Sequence, residues 1–333
     1  MHPPARSLLP SDTRRLQGLA FALAGAVAFS GKAILAKLMY RTGADAFAVI
    51  GLRMAIALPL FLIIAWWTGR AGQGAAPRVP LSRRERWQIA GLGFCGYYLA
   101  STFDFLGLQY ISAALERAIL YLNPAIVLLL SALWFRQRVS LAQVVAMALA
   151  YAGVMLVWGH DLDVAHMAAA SAGGVSPGRA VAIGSVLVFL SATAYALYLI
   201  GSGRLVARVG SARLIGLASS IACVVTLVQW SVVWLGSGGT MGSLQGLPIE
   251  VYTLSLLNAT ACTVLPMWFV MRGVALLGAS TASQIGMVGP LSTIWMASIW
   301  LDEPISTRLL AGTAVVVVAV LVLGRLGGTA RKA

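Results

Sequence analysis

The stretch DFLGLQYISAALERAILYLNP, residues 104 to 124, sets Asp104, Glu116 and Arg117 in an apolar region of a chain that is only 10% charged. Lys32 and Arg53 add two cations in equally apolar surroundings. Carboxylates in such places hold or exchange protons, and ammonium or guanidinium groups grip carboxylates. Ionisable side chains kept away from water are costly enough to mark a site. The question is which elements bring these five together.

Composition sets the frame. Across 333 residues the hydrophobic fraction is 59% and the mean hydropathy +0.87, well above the ~45–50% apolar content of soluble domains. Runs of about 20 apolar residues, the length that crosses a bilayer, predict ten membrane-spanning helices in an all-α polytopic membrane protein. The chain divides into an N-terminal tail (1–16), a five-helix unit (17–159), a Gly/Ala/Ser-rich external linker (160–179), a second five-helix unit (180–324) and a C-terminal tail (325–333).

The net charge of +14 does not call for nucleic acid. If the N-terminus is cytoplasmic, seventeen of the 24 Lys and Arg residues fall in inside segments. Only Arg41, Arg179 and Arg308 fall outside, as the positive-inside rule expects. Both termini are then cytoplasmic, in the inner (plasma) membrane if the cell is bacterial, and the lipid bilayer is the main partner. The oligomeric state is left open. Cys95, Cys223 and Cys262 are isolated in apolar segments, so no disulfide framework or thiolate metal cluster is expected. His160, Asp161, Asp163 and His166 fall in the linker and read as solvated rather than as metal ligands. No cofactor is expected.

A gap-free shift of 166 positions aligns Phe103 with Phe269, Gly107 with Gly273, Pro124 with Pro290, Trp134 with Trp300 and Ser140 with Ser306. Five spans separate the copies, so the second enters the membrane from the opposite side. Inverted-topology repeats of this kind are a construction of secondary transporters, with the solute site near the midplane between repeats. Pro124 and Pro290 are expected to break corresponding helices.

YISAALERAILYLNPAIVLLLSALWFRQRVSLAQ and LLGASTASQIGMVGPLSTIWMASIWLDEPIS resemble the two EamA repeats of the drug/metabolite transporter superfamily, and KAILAKLMYRTGADAFAVIGLRMAIALPL resembles its first helix pair. The resemblance covers nearly the whole chain. It implies ten helices, an inverted repeat and transport of small metabolites, most often export of amino acids or related solutes. Where the second repeat has Asp302-Glu303 the first has Arg136-Gln137, a difference expected to affect loop chemistry more than transport.

Depth along the spans gives the site. Asp104 lies about five residues, or ~7 Å, below the outer end of its helix, and Glu116 and Arg117 return at a similar depth. These with Lys32 and Arg53 form one polar layer in the outer half, while Lys37 snorkels toward the surface. Matching depth pairs Asp104 with Arg117 as a structural ion pair. Glu116, about 100° round the helix from Arg117, is expected to face a cavity as a substrate-binding or proton-linked group. Arg53, Lys32, Gln284 and Tyr121 complete the candidate solute site, and the excess of cations favours a carboxylate-bearing solute. There is no Walker A sequence, so an ion or solute gradient supplies the energy. An intramembrane enzyme is disfavoured: no H-E-x-x-H occurs, and His2, His160 and His166 fall outside the spans. Flipping of an amphiphile or lipid on the same scaffold is the alternative to solute transport.

Overall fold

The computed structural model describes residues 11–70, 80–136, 139–169, 176–277, 282 and 285–329, and among them regular structure is entirely helical. The first half comprises α1 (Ser11–Arg41), α2 (Ala46–Arg70), α3 (Arg83–Gly93), α4 (Ala100–Leu108), α5 (Ala113–Leu120), α6 (Asn123–Phe135) and α7 (Leu141–Ala169). The second comprises α8 (Pro177–Val209), α9 (Ser211–Gly236), α10 (Ile249–Ala259), α11 (Leu265–Leu277), α12 (Gly289–Trp300) and α13 (Thr307–Thr329). Joined across their breaks, nine helices among the described residues are long and apolar enough to cross a membrane. Ten were expected. Of the expected span over 279–301, residues 279–281 and 283–284 lie outside the described residues, and α12 is its longest described stretch.

The duplication in the sequence reappears in the backbone. A wide π-helical turn joins α3 to α4 at Phe94–Leu99, and another joins α10 to α11 at Thr260–Val264. The chain turns at residues 121–122 before α6 and at 287–288 before α12, and each following helix carries its proline, Pro124 or Pro290, in the first turn. A proline there forfeits no bond of its own helix, because the first-turn N–H groups have no partner in it. It does deny a donor to the carbonyl four residues back, Leu120 or Gly286. Beyond α6 and α12, Arg136 (φ 51°) and Asp302 (φ 53°) are the described non-glycine residues in left-handed conformation, and both lie on the shift of 166.

Packing exchanges the halves. Helix α1 rests on α11 and α12 of the second repeat, and α8 rests on α4 and α6 of the first. The pairs α2/α9 and α7/α13 close the arrangement. The α7/α13 seam is tight: a Cβ on Gly153 would lie 2.8 Å from the Gly312 carbonyl oxygen, and one on Gly312 equally close to that of Gly153. Small residues let membrane helices approach this closely. Leu62, Ile63, Trp66, Leu133, Trp134, Val232 and Leu235 stay exposed on the outside, where a soluble protein would hide them and lipid would not.

One segment departs from expectation. The first ten residues of the predicted solvated linker belong to α7, whose 29 residues extend ~43 Å, past the bilayer core. His160 and Asp161 are consequently buried.

Candidate functional site

Four helices supply the charges. Helix α1 contributes Lys32, α2 contributes Arg53, α4 contributes Asp104, and the eight-residue α5 contributes Glu116 and Arg117. Helix α5 is held at its start by Ser112, whose hydroxyl accepts from the Leu115 N–H at 3.0 Å. Asp161 of α7 accepts from the Ser112 N–H at 2.8 Å and from its hydroxyl at 2.6 Å. The helix ends at the proline break. This clamping at both ends fixes where Glu116 and Arg117 point.

The Lys32 ammonium donates to Asp104 Oδ2 and lies 3.5 Å from Glu116 Oε1. The structure therefore corrects the expected Asp104–Arg117 pair: α1 packs against both helices and its lysine meets both carboxylates. Arg117 turns instead to its sequence neighbour, with Nε 3.7 Å from Glu116 Oε2, and donates from Nη2 to the Phe29 carbonyl at 3.0 Å. Arg53 donates to Ser101 Oγ at 2.9 Å and stacks on the Phe105 ring at 4.5 Å. Asn258 of α10 donates to the Lys32 carbonyl at 3.2 Å, the second repeat's polar contribution to this layer.

Glu116 is 0% exposed. Neither of its carboxylate oxygens meets a hydrogen-bond donor, and Asp104 Oδ1 and Arg53 Nε lack partners too. An unpartnered buried polar atom costs about 1–3 kcal/mol, more when charged, so this cluster stores unsatisfied bonding capacity.

A cavity of about 420 Å³ lies beside the cluster, on the side toward the start of α1. Its wall runs from Ala22, Ala26 and Phe29 of α1 to Val270 and Val274 of α11, and takes in both breaks, Leu120–Pro124 and Gly286–Gly289. Arg117 is the charged residue of the described wall; Glu116 does not reach it, which reverses the roles expected of this pair. Tyr121 also lines it and donates from its hydroxyl to the Gly286 carbonyl at 2.5 Å, filling the place that Pro290 leaves vacant. The residue equivalent to Tyr121 in the other repeat is Met287, which has no O–H to give to the Leu120 carbonyl. Ser30 bonds the Gly289 carbonyl at 3.0 Å and receives a bond from Ser292 at 2.8 Å. Lys32, Arg53 and Asp104 stand behind the wall, and Gln284 lies outside the described residues.

The opposite end of the bundle is laced shut. Lys37 lies 3.4 Å from Glu303 and donates to the Ile111 carbonyl at 2.7 Å, so it is engaged across the repeats rather than snorkelling. Glu303 accepts from the Ala113 N–H at 3.2 Å. His160 sits between Ser306 Oγ at 3.0 Å and the Pro304 carbonyl at 3.2 Å, and Arg308 donates to Asp163 at 2.7 Å. The Asp302-Glu303 difference between repeats thus sets an interrepeat contact and not loop chemistry alone. The signal for it was present in the sequence: four polar residues, 160, 161, 163 and 166, follow an apolar run closely, with only Gly159 between them.

A model of the EamA-like transporter family matches residues 16–159 and again 182–325. The uncharacterized transporter YcbK of Bacillus subtilis is 29% identical over 86% of this chain and 86% of its own. YvbV, an uncharacterized transporter of the same organism, is 28% identical over 74% of this chain and 75% of its own. An uncharacterized transporter of Archaeoglobus fulgidus is 25% identical over 84% and 88%. A crystal structure described only as that of a protein covers 93% of this chain and 96% of its own with a TM-score of 0.57 at 17% identity, a likeness of fold alone. These relatives and the apolar helices make this an integral, multi-pass membrane protein with a transporter role. Because the two family matches fall on the two halves that its own backbone repeats, the chain belongs to the EamA-like transporter family.

Proposed function

We propose that the protein is a secondary transporter that exports small organic metabolites, amino acids and related carboxylates among them, by alternating access. The observation that carries this reading is the cavity between the two helix breaks, apolar except for Arg117 and Tyr121. About 420 Å³ suits a small organic molecule, and a guanidinium suits a carboxylate. Leu120, whose carbonyl Pro124 leaves without its helical donor, offers an acceptor for an ammonium group one turn from Arg117.

On this reading ten helices cross the inner membrane as two inverted five-helix repeats, with both termini cytoplasmic. The excess of Lys and Arg in the segments on the N-terminal side supports that orientation. The cavity then opens toward the cytoplasm, where α1 begins and α13 ends. The Lys37–Glu303 and His160–Ser306 contacts close the outer end. Alternating access requires these contacts to part while the breaks shift.

Counterflow in proteoliposomes tests the proposal. Vesicles preloaded with an unlabelled amino acid or organic carboxylate are expected to accumulate the labelled form transiently, because a carrier exchanges faster than it moves net solute. Equal uptake with and without preloading overturns carrier transport. Movement of a fluorescent lipid without solute exchange assigns amphiphile flipping instead.

A further inference from the structure

Arg117 belongs to two environments at once. It lines the cavity, yet its Nε lies 3.7 Å from a carboxylate that has no exposed surface. The groups around Glu116 are few. Helix α1 offers Lys32 and, further along, Tyr40; α4 offers Asp104, beyond which Arg53 of α2 lies; α5 itself offers Arg117. Asp161 and Glu303 approach only the first turn of α5, where Ser112 and Ala113 occupy them. Helix α8 presents Val181, Val188 and Ala192 to the core it shares with α5, and α12 carries no ionisable residue. Asp104 holds the Lys32 ammonium by a direct hydrogen bond, whereas Glu116 has its two cations at 3.5 Å and 3.7 Å and a hydrogen bond from neither.

We propose that a proton on Glu116 and a carboxylate-bearing, apolar-bodied solute in the cavity bind together, with Arg117 exchanging the one carboxylate for the other. The proposal rests on the reading of the cavity as the solute site. The exchange balances. The solute carboxylate forms an ion pair with the Arg117 guanidinium, the Glu116–Arg117 ion pair breaks, and a hydronium ion of the aqueous phase gives up one O–H bond, leaving water, as its proton forms an O–H bond on the Glu116 carboxylate. Nothing is oxidised or reduced. The physical drive is that Glu116, once Arg117 turns away, keeps only Lys32 at 3.5 Å, an ammonium already hydrogen-bonded to Asp104, and a buried carboxylate so poorly compensated is costlier than a buried carboxylic acid. Linkage is reciprocal: a proton on Glu116 strengthens solute binding as much as the solute strengthens protonation. Solute and proton therefore cross in the same direction, and the two gradients together decide which way.

The full-length protein in lipid nanodiscs, titrated calorimetrically with phenylacetate in buffers of different ionisation enthalpy, tests this. The expected result is proton uptake on binding and an apparent Kd that tightens as pH falls, approaching about tenfold per pH unit for one linked proton. In Glu116→Gln the affinity is expected to lose its pH dependence and to stay at the acid-limit value, with no proton uptake. In Arg117→Gln phenylacetate binding is expected to be lost. A difference infrared spectrum of the wild type should show a carboxylic-acid carbonyl band appearing with phenylacetate, and this measurement decides the matter should Glu116→Gln fail to fold. Binding that requires Arg117 but is flat with pH, with no proton uptake and no new band, overturns the coupling and leaves the solute site standing. Phenylacetate that does not bind, or binds equally to Arg117→Gln, overturns the solute site and the coupling with it.

Discussion

The two repeats share a backbone and differ in chemistry. Wide turns, helix breaks, first-turn prolines and left-handed residues recur 166 positions apart. The five clustered charges do not: opposite Lys32, Arg53, Asp104, Glu116 and Arg117 the sequence has Tyr198, Ser219, Val270, Ala282 and Ser283. Duplication has kept the parts that bend and packed the ionisable groups into one copy. A rocking mechanism needs hinges in pairs, whereas a single solute needs one set of charges.

The sharpest way to break this comparison is to remove the shared lysine. Lys32→Met leaves Asp104 and Glu116 without their common cation, and stranding a buried charge costs about 3–5 kcal/mol. Folded yield on a sizing column should collapse. Tyr198→Phe, at the matching place, touches a hydroxyl that receives a bond from Tyr97 at 3.3 Å and should cost no more than about 1.5 kcal/mol. Equal losses would mean that the second repeat carries a hidden polar centre of its own. Combining Asp104→Asn with Arg117→Gln is expected to add losses rather than compensate them, since those residues are not partners.

Tyr121→Phe comes next. It strips the Gly286 carbonyl of its only described side-chain donor and is expected to destabilise by about 1–3 kcal/mol, read as a lower unfolding temperature. Met287→Leu, its counterpart, should be close to neutral. A smaller effect is expected from Glu303→Gln, which keeps an acceptor for the Ala113 N–H but loses the charge facing Lys37. It should raise the labelling rate of a single cysteine placed at Ile111 by a thiol reagent added from outside, with little loss of stability. Unchanged labelling would separate this contact from gating. Least of all, Arg136→Gly and Asp302→Gly should each shift stability by under about 1 kcal/mol in the favourable direction, because glycine enters the left-handed region without strain. Arg136 should gain more, as aspartate tolerates that region better. Opposite signs would show that the paired backbone is not equivalent in the two copies.

Much of the frame was legible in the sequence. Pro124 and Pro290 announced where the chain would turn, and the lack of charge at the second repeat's matching positions announced where the cluster would be. Partner choice was not legible. Depth along a helix follows from 1.5 Å per residue, but rotation and tilt do not, and Asp104 meets Lys32 because α1 packs against both α4 and α5. The roles of Glu116 and Arg117 were inverted for a related reason. A quarter-turn between neighbours separates their Cα–Cβ directions, yet an arginine side chain is long enough to wrap back while its tip reaches the cavity. The cavity wall went unseen because Val270, Val274 and Ala22 look like any lipid-facing residues. His160 and Asp161 were read as solvated because the Gly and Ala that follow them obscured how far α7 continues.

The exchange proposed at Arg117 has an electrical corollary. Empty, the cluster holds three cations and two carboxylates; loaded, it holds three cations, one original carboxylate, one carboxylic acid and the carboxylate of the solute. The sum is the same. Membrane voltage does work on a moving charge, ~2.3 kcal/mol per elementary charge per 100 mV, but loading a monocarboxylate with its proton adds no charge to be moved. Transport of such a solute should then leave voltage-sensitive dyes silent, and a solute that also carries an ammonium group should make them respond.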